Sequence, residues 1–221
     1  MTNEARQQIL ARIRSAASTG ASTSESAAEA WLRLPRVYHR HATLGQEAML
    51  DLFESRARDY GAGVLRVATD QVEQGIAALL DARGKRRLLL PSGFAAPLPP
   101  GYSFVVDPDP VTGALPSAQM DLLDGVITAC TVAIAETGTL VLQSVPGQGR
   151  RAATLVPDYH LCLVRVDQVV ETVPEGMARL LPTAHLPTTL ISGPSATADI
   201  EMTRIEGVHG PRTLDVLLVR D

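Results

Sequence analysis

Apolar residues in this chain fall into two textures: stripes at helical spacing, and compact runs rich in Val, Ile and Leu, with glycine and proline between them. Thr2–Ser15 reads as a short helix, with Ile9, Leu10 and Ile13 on one face and Arg6, Gln7, Arg12 and Arg14 around them. Ser15–Glu29 is almost wholly Ser, Ala, Thr, Gly and Glu, too poor in apolar surface to offset its ordering entropy, so a mobile linker is expected. Residues 1–30 thus read as an N-terminal helical arm with a flexible linker, and 31–221 as one folded domain beginning near Trp31–Tyr38.

Within that domain Gln46–Ala57 predicts a helix through Met49, Leu50, Leu52, Phe53 and Ala57, stopped by Gly61-Ala62-Gly63. Val64–Val67 predicts a strand, and Asp70 is the expected N-cap of a helix over Gln71–Ala82 that Gly84 ends. Arg87–Leu90 and Ser103–Val106 predict strands, and Ser117–Leu123 a short helix. Two β-rich runs, Val126–Ala135 and Thr139–Gln143, flank Glu136-Thr137-Gly138; Gly138 suits the positive φ of a hairpin turn. Beyond the Ser144–Gly149 loop come a turn or short helix at Arg150–Leu155, a strand at Tyr159–Val166, and a helix at Asp167–Leu181. A strand at Thr188–Ile191, a helix at Ala196–Arg204 and a strand at Leu214–Val219 complete the series. Strands alternating with helices imply an α/β fold with a mostly parallel sheet flanked by helices.

Composition narrows the class. The 221 residues are 45% hydrophobic and 20% charged, a globular balance that excludes global disorder. Aromatics are 4%, so Ala, Val, Leu and Ile must build the core. A net charge of −4 gives no electrostatic reason to expect nucleic acid. Cys130 and Cys162 form no Cys-x-x-Cys pair, which argues against a zinc ribbon or iron–sulfur cluster held by this chain; both read as small buried hydrophobes. His39-x-His41 lacks a third ligand, so no metal site is expected. No stretch reaches the roughly 18 apolar residues of a membrane helix, and the polar Met1–Ile13 lacks a signal-peptide core, so a cytoplasmic protein is expected.

Three segments carry candidate chemistry. Glu136-Thr137-Gly138 puts a carboxylate on a tight turn at the end of two strands, as a general base, nucleophile or ligand hook; the plainer reading is a solvated turn. Ile191-Ser192-Gly193-Pro194-Ser195-Ala196-Thr197-Ala198-Asp199-Ile200-Glu201 runs from a strand into an expected helix, whose N-terminal N–H groups suit a phosphate or carboxylate; simple capping by Ser195 is the alternative. Glu206-Gly207-Val208-His209-Gly210-Pro211 places a histidine, a residue type whose ordinary titration is near neutrality, on a backbone-specified loop, where it serves either a site or the turn itself. Arg150 and Arg151 follow a glycine-rich loop and offer a bidentate anion clamp or an ordinary surface pair; His160, opening a strand, reads as structural.

In order along the chain, Asp124-Gly125-Val126-Ile127-Thr128-Ala129, Ala133-Ile134-Ala135-Glu136-Thr137-Gly138-Thr139-Leu140-Val141-Leu142, Arg151…Pro157-Asp158-Tyr159-His160, Ser192-Gly193-Pro194-Ser195-Ala196-Thr197-Ala198-Asp199-Ile200-Glu201 and Gly207-Val208-His209-Gly210-Pro211 resemble the lactate-utilization (LUD, DUF162) domain family. The resemblance implies a fold like the ribose-5-phosphate isomerase and CoA-transferase (NagB/RpiA) group. It also implies a place in a cytoplasmic system oxidising L-lactate to pyruvate. Iron–sulfur clusters are then expected on partner oxidoreductase subunits, with no cofactor on this chain. It leaves open whether this chain is itself catalytic.

On this reading the ligand is a small carboxylate or phosphorylated molecule. Thr137, Gly138, Ser192, Gly193, Ser195, Thr197 and Asp199 form its pocket, with Arg151 at the rim. The helix N-terminus after Gly193 and Arg151 hold the anion, and Glu136 or His209 moves a proton. The alternatives are a freestanding CoA-transferase- or sugar-phosphate-isomerase-like enzyme, or a non-catalytic regulatory or interaction subunit.

Overall fold

The structure, a computed structural model, describes residues 3–18, 26–108, 113–198, 204–206 and 210–220, with backbone alone at 3, 18, 196–198 and 204–206. Two compact units emerge, Met1–Tyr38 and His39–Asp221. Among the described residues no helix is long and apolar enough to cross a membrane.

The first unit holds helices α1 (Asn3–Ser18) and α2 (Ala27–Arg33). Ser26 to Glu29, expected within the linker, instead start α2. Ser26 Oγ accepts from Glu29 N at 3.2 Å, and the Glu29 carboxylate accepts from Ser26 N at 2.8 Å. This reciprocal cap satisfies two helix-end donors and starts a helix where composition reads as coil.

The second unit runs α3 (Gln46–Asp59), β1 (Gly63–Ala68), α4 (Val72–Ala82), β2 (Arg87–Pro91), β3 (Ser103–Asp107), α5 (Ser117–Met120), β4 (Gly125–Ala129), β5 (Val132–Ile134), β6 (Thr139–Gln143), β7 (Tyr159–Arg165), β8 (Val169–Val170), α6 (Val173–Leu180), β9 (Thr188–Ile191), β10 (Ala196–Ala198), β11 (Arg204–Glu206) and β12 (Thr213–Arg220). Six strands form the main sheet in the order β1-β12-β7-β4-β2-β3, and every neighbouring pair is parallel.

Strand alternation sorts this sheet into two faces. On β12, Leu214, Val216 and Leu218 pack with Leu50, Phe53 and Ala57 of α3. Leu217 and Val219 pack with Val72, Ile76 and Leu80 of α4 on the opposite face. A second sheet, β8-β5-β6-β9, shares the α3 face through Ala133, Leu140, Leu142 and Val169, and α6 covers its far side through Leu180.

Five expectations need correction. The run Val126–Ala135 is not one strand: it breaks at Cys130-Thr131, leaving β4 in the main sheet and β5 in the second. The second sheet is mixed, with β5–β8 parallel and β5–β6 and β6–β9 antiparallel, so the fold is mixed α/β and not a single mostly parallel sheet. Over Asp167–Leu181, Val169 and Val170 pair as a strand with Ala133 and Ile134. The helix starts only at Val173, where Thr172 and Glu175 cap it reciprocally. Over Ala196–Arg204 there is no continuous helix: β10 and β11 pair antiparallel, Thr197 opposite Ile205, so their backbone groups bond across a ribbon. Asp70 lies inside a 3₁₀ turn, Thr69–Gln71, and the N-cap of α4 is Gln71.

Candidate functional site

The Ala135–Gly138 turn and the Ser192-Gly193 corner are brought together by the last turn of α3. Gly138 has φ 59°, and a Cβ there would stand 2.7 Å from the backbone nitrogen of Ala57. Gly193 has φ 83°, and a Cβ there would stand 2.6 Å from the carbonyl oxygen of Tyr60. Only glycine meets both the left-handed backbone and the close approach at these two points. A chain of hydroxyls then joins the corners: Thr139 Oγ1 lies 2.7 Å from Thr137 Oγ1 and 2.7 Å from Ser192 Oγ.

The third corner meets the second. Ser195 N donates to the Pro211 carbonyl at 2.8 Å, and Gly210 lies beside the Ser195 side chain. These elements enclose a pocket of about 260 Å³ between the amino ends of β7 and β12 and the carboxyl end of β9; Arg151, Thr154, His160, Ser192 and Ser195 supply its polar side chains.

The predicted residues divide. Arg151, Ser192, Gly193 and Ser195 line the pocket. Thr137 reaches it only through the hydroxyl chain. Glu136 is exposed on its turn, outside the described pocket wall, with its N–H donated to the Glu171 carbonyl at 3.0 Å. Thr197 has only its backbone described, on β10. Asp199 and His209 lie outside the described residues. The helix N-terminus expected after Gly193 is absent, because β10 follows instead. Simple helix capping by Ser195 falls with it.

The two arginines of the pair do different work. Arg150 turns to the buried Asp107, its Nε 2.9 Å from Oδ2, and also bonds the Leu115 carbonyl. Arg151 opens the 3₁₀ turn Arg151–Thr154 and donates to Thr154 Oγ1 at 3.2 Å. It forms no ion pair with any described residue, so its charge faces the pocket without a described carboxylate to offset it.

His160, read from the sequence as a structural residue opening a strand, is that and also a wall of the pocket. It is 1% exposed, sits in β7 between Val126 and Leu214, and lines the pocket. Its Nε2 is 2.8 Å from Thr128 Oγ1. Burial, and then the Arg151 charge, push the imidazole down to about 4, so the ring is neutral at pH 7. A signal was present: His160 breaks the inward apolar series His160-x-Cys162-x-Val164 of β7. Among the described residues no cluster could hold a metal ion.

A second cavity, about 370 Å³, opens at the other edge of the main sheet. It lies over the carboxyl ends of β4, β7 and β12 at Ala129, Leu163 and Val219, walled by the Gly93–Pro97 loop and with Arg165 at its margin. There the chain path reverses, since β2 leads outward to β3 while β4 leads inward to β7.

A model of the LUD domain matches residues 116–219. Lactate utilization protein C of Deinococcus radiodurans is 44% identical over 181 residues, covering 80% of this chain and 82% of that protein. Lactate utilization protein C of Shouchella clausii is 34% identical over 108 residues, 47% of each chain. The crystal structure of a DUF162 family protein from Deinococcus radiodurans superimposes with a TM-score of 0.69 at 38% identity, covering 80% of this chain and 99% of that one.

Proposed function

This chain belongs to the LUD-domain (DUF162) family, and on that premise we propose that it is a cytoplasmic component of a lactate-oxidising system that binds a small carboxylate at the amino edge of its main sheet. The observation that carries the reading is the pairing of Arg151, without a described acidic partner, with the neutral, buried His160 in one pocket wall. The guanidinium holds the carboxylate, a charge-assisted contact worth about 1.5–3 kcal/mol. Ser192 and Ser195 hydroxyls and the imidazole address the rest of a three-carbon acid. The anion is held by Arg151 and not by a helix N-terminus.

Glu136 and His209 remain proposed proton-moving groups, and Thr137, Gly138, Thr197 and Asp199 proposed members of the ligand surround. Electrons leave through partner subunits carrying iron–sulfur clusters. Residues 1–30, the proposed arm, serve contact with those subunits; Ile13 in α1 is exposed.

A specific observation favours a second reading. In open parallel sheets, ligands bind outside the carboxyl ends of strands where the chain path reverses, and the 370 Å³ cavity occupies that edge. It supports the likeness to the ribose-5-phosphate isomerase and CoA-transferase fold, and with it a freestanding enzyme acting on a sugar phosphate or acyl-CoA.

Titration calorimetry separates the two. Lactate or pyruvate binds and Arg151→Gln weakens it if the first reading holds. Binding of ribose 5-phosphate or acetyl-CoA, unchanged by Arg151→Gln, favours the second.

A further inference from the structure

His160 presents only one ring nitrogen to the pocket. Nε2 is engaged by Thr128, and Nδ1 bonds no described residue although the ring lines the cavity. The Thr128 hydroxyl can donate or accept, so Nε2 is satisfied whether the ring is neutral or protonated. The ring can therefore change protonation state without breaking its anchoring contact.

The surroundings decide which state forms. From the 3₁₀ turn comes Arg151, the one charged side chain among the described residues lining the pocket. β4 contributes Thr128 and β12 contributes Leu214. Asp215, next on β12, projects to the opposite face, where Arg83 and Tyr159 bind it. Cys162, two residues along β7, shares the His160 face. Beside it the Cys130 thiol stays protonated, pushed up by its contact with Cys162 and by burial. From the 192–195 corner come only the hydroxyls of Ser192 and Ser195. The described pocket wall thus sets a cation beside an imidazole, with no described anion between them.

We propose that His160 is the proton-binding contact of this site: a carboxylate that fills the pocket brings a proton onto the ring, and a 2-oxo acid does so more strongly than a 2-hydroxy acid. This rests on the reading of the pocket as a carboxylate site.

The carboxylate cancels the Arg151 repulsion and adds an attraction of its own; an opposite charge within about 4–6 Å shifts a titratable group by about one to three pH units. A 2-oxo group only accepts hydrogen bonds, so it bonds the neutral ring's Nδ1–H tautomer and, by a stronger charge-assisted bond, the imidazolium. A 2-hydroxyl can instead donate to a neutral Nδ1. The residue therefore discriminates between the oxidised and reduced forms of one acid, and does so as a function of pH.

Calorimetry on the full chain, run in two buffers of different ionisation heat at about pH 7.5 and about pH 5.5, counts the protons taken up with pyruvate and with lactate. Expected are net proton uptake with pyruvate, less with lactate, and pyruvate affinity rising by up to about tenfold per pH unit as pH falls. His160→Gln binds pyruvate more weakly, and the binding that remains shows neither the uptake nor the pH dependence. Pyruvate binding with no uptake, equal uptake with both acids, or uptake that survives in His160→Gln overturns the proposal and leaves the carboxylate site standing. No binding of either acid at either pH overturns both. Should His160→Gln fail to fold, ¹³C-histidine NMR of the wild type decides: the His160 midpoint must rise on adding pyruvate, and an unmoved midpoint overturns the proposal.

Discussion

Thr139 and Ser192, fifty-three positions apart, share a hydroxyl–hydroxyl hydrogen bond of 2.7 Å. Thr139 begins β6 and Ser192 follows β9, so this bond ties the Gly138 turn to the corner that forms one wall of the pocket. Thr139 is buried, and its hydroxyl serves both Thr137 and Ser192. Thr139→Val keeps the shape and strands two hydroxyls, so a loss of about 1–2 kcal/mol is expected. Urea denaturation measures it, and a weaker grip on pyruvate should accompany it.

Gly193→Ala should cost more than Gly84→Ala. Both glycines have positive φ, 83° and 64°, but an added Cβ meets the Tyr60 carbonyl at Gly193 and open space at Gly84. The φ penalty alone is about 1–2 kcal/mol; the clash adds to it only at Gly193. Equal losses in the two variants' denaturation midpoints would refute the close approach of α3.

Arg150→Gln and Arg151→Gln should separate stability from binding. The first leaves the buried Asp107 without its cation and is expected to destabilise by about 1.5–3 kcal/mol. The second leaves stability nearly unchanged and weakens lactate or pyruvate binding by about ten- to a hundredfold. Thermal melting and calorimetry on both proteins make the comparison.

The buried His160 makes stability depend on pH. Its folded value of about 4 lies below the ordinary 6.5, so the unfolded chain binds more protons between those values. The contribution is full above 6.5 and is lost as pH falls toward 4, by about 3 kcal/mol in all. Asp158 and Asp124, lowered in the folded state by the Arg212 bond and by the Arg86 and Arg87 N–H groups respectively, lose their contribution only at lower pH. Subtracting the denaturation free energies of His160→Gln from those of the wild type isolates the upper window; a flat difference would contradict the burial of the ring.

Much of the fold was legible because its cause is local. The Gln46–Ala57 stripe, the Gly84 stop, the strands at Arg87, Ser103, Tyr159 and Thr188, and the positive φ of Gly138 follow from side-chain periodicity and backbone sterics that a short window contains. Where those signals failed, a distant partner had decided. Val169 and Val170 sit within a helix-like pattern, yet β5 takes their backbone groups. Ala196 and Ala198 are good helix formers, yet Arg204–Glu206 bond this segment as a ribbon.

The site divides along the same line. By itself the sequence determined which glycine-marked corners exist and that hydroxyls and arginines stand beside them, since a turn's chemistry is written in its own residues. Tertiary structure alone decided that Arg150 turns to Asp107 while Arg151 faces the pocket, that Glu136 stays in solvent, and that His160 lies buried beside Thr128. Burial depth and hydrogen-bond partnership depend on what packs against a side chain from elsewhere in the chain. At this site those neighbours come from β4, β9 and β12, strands that meet β7 only after the sheets have assembled.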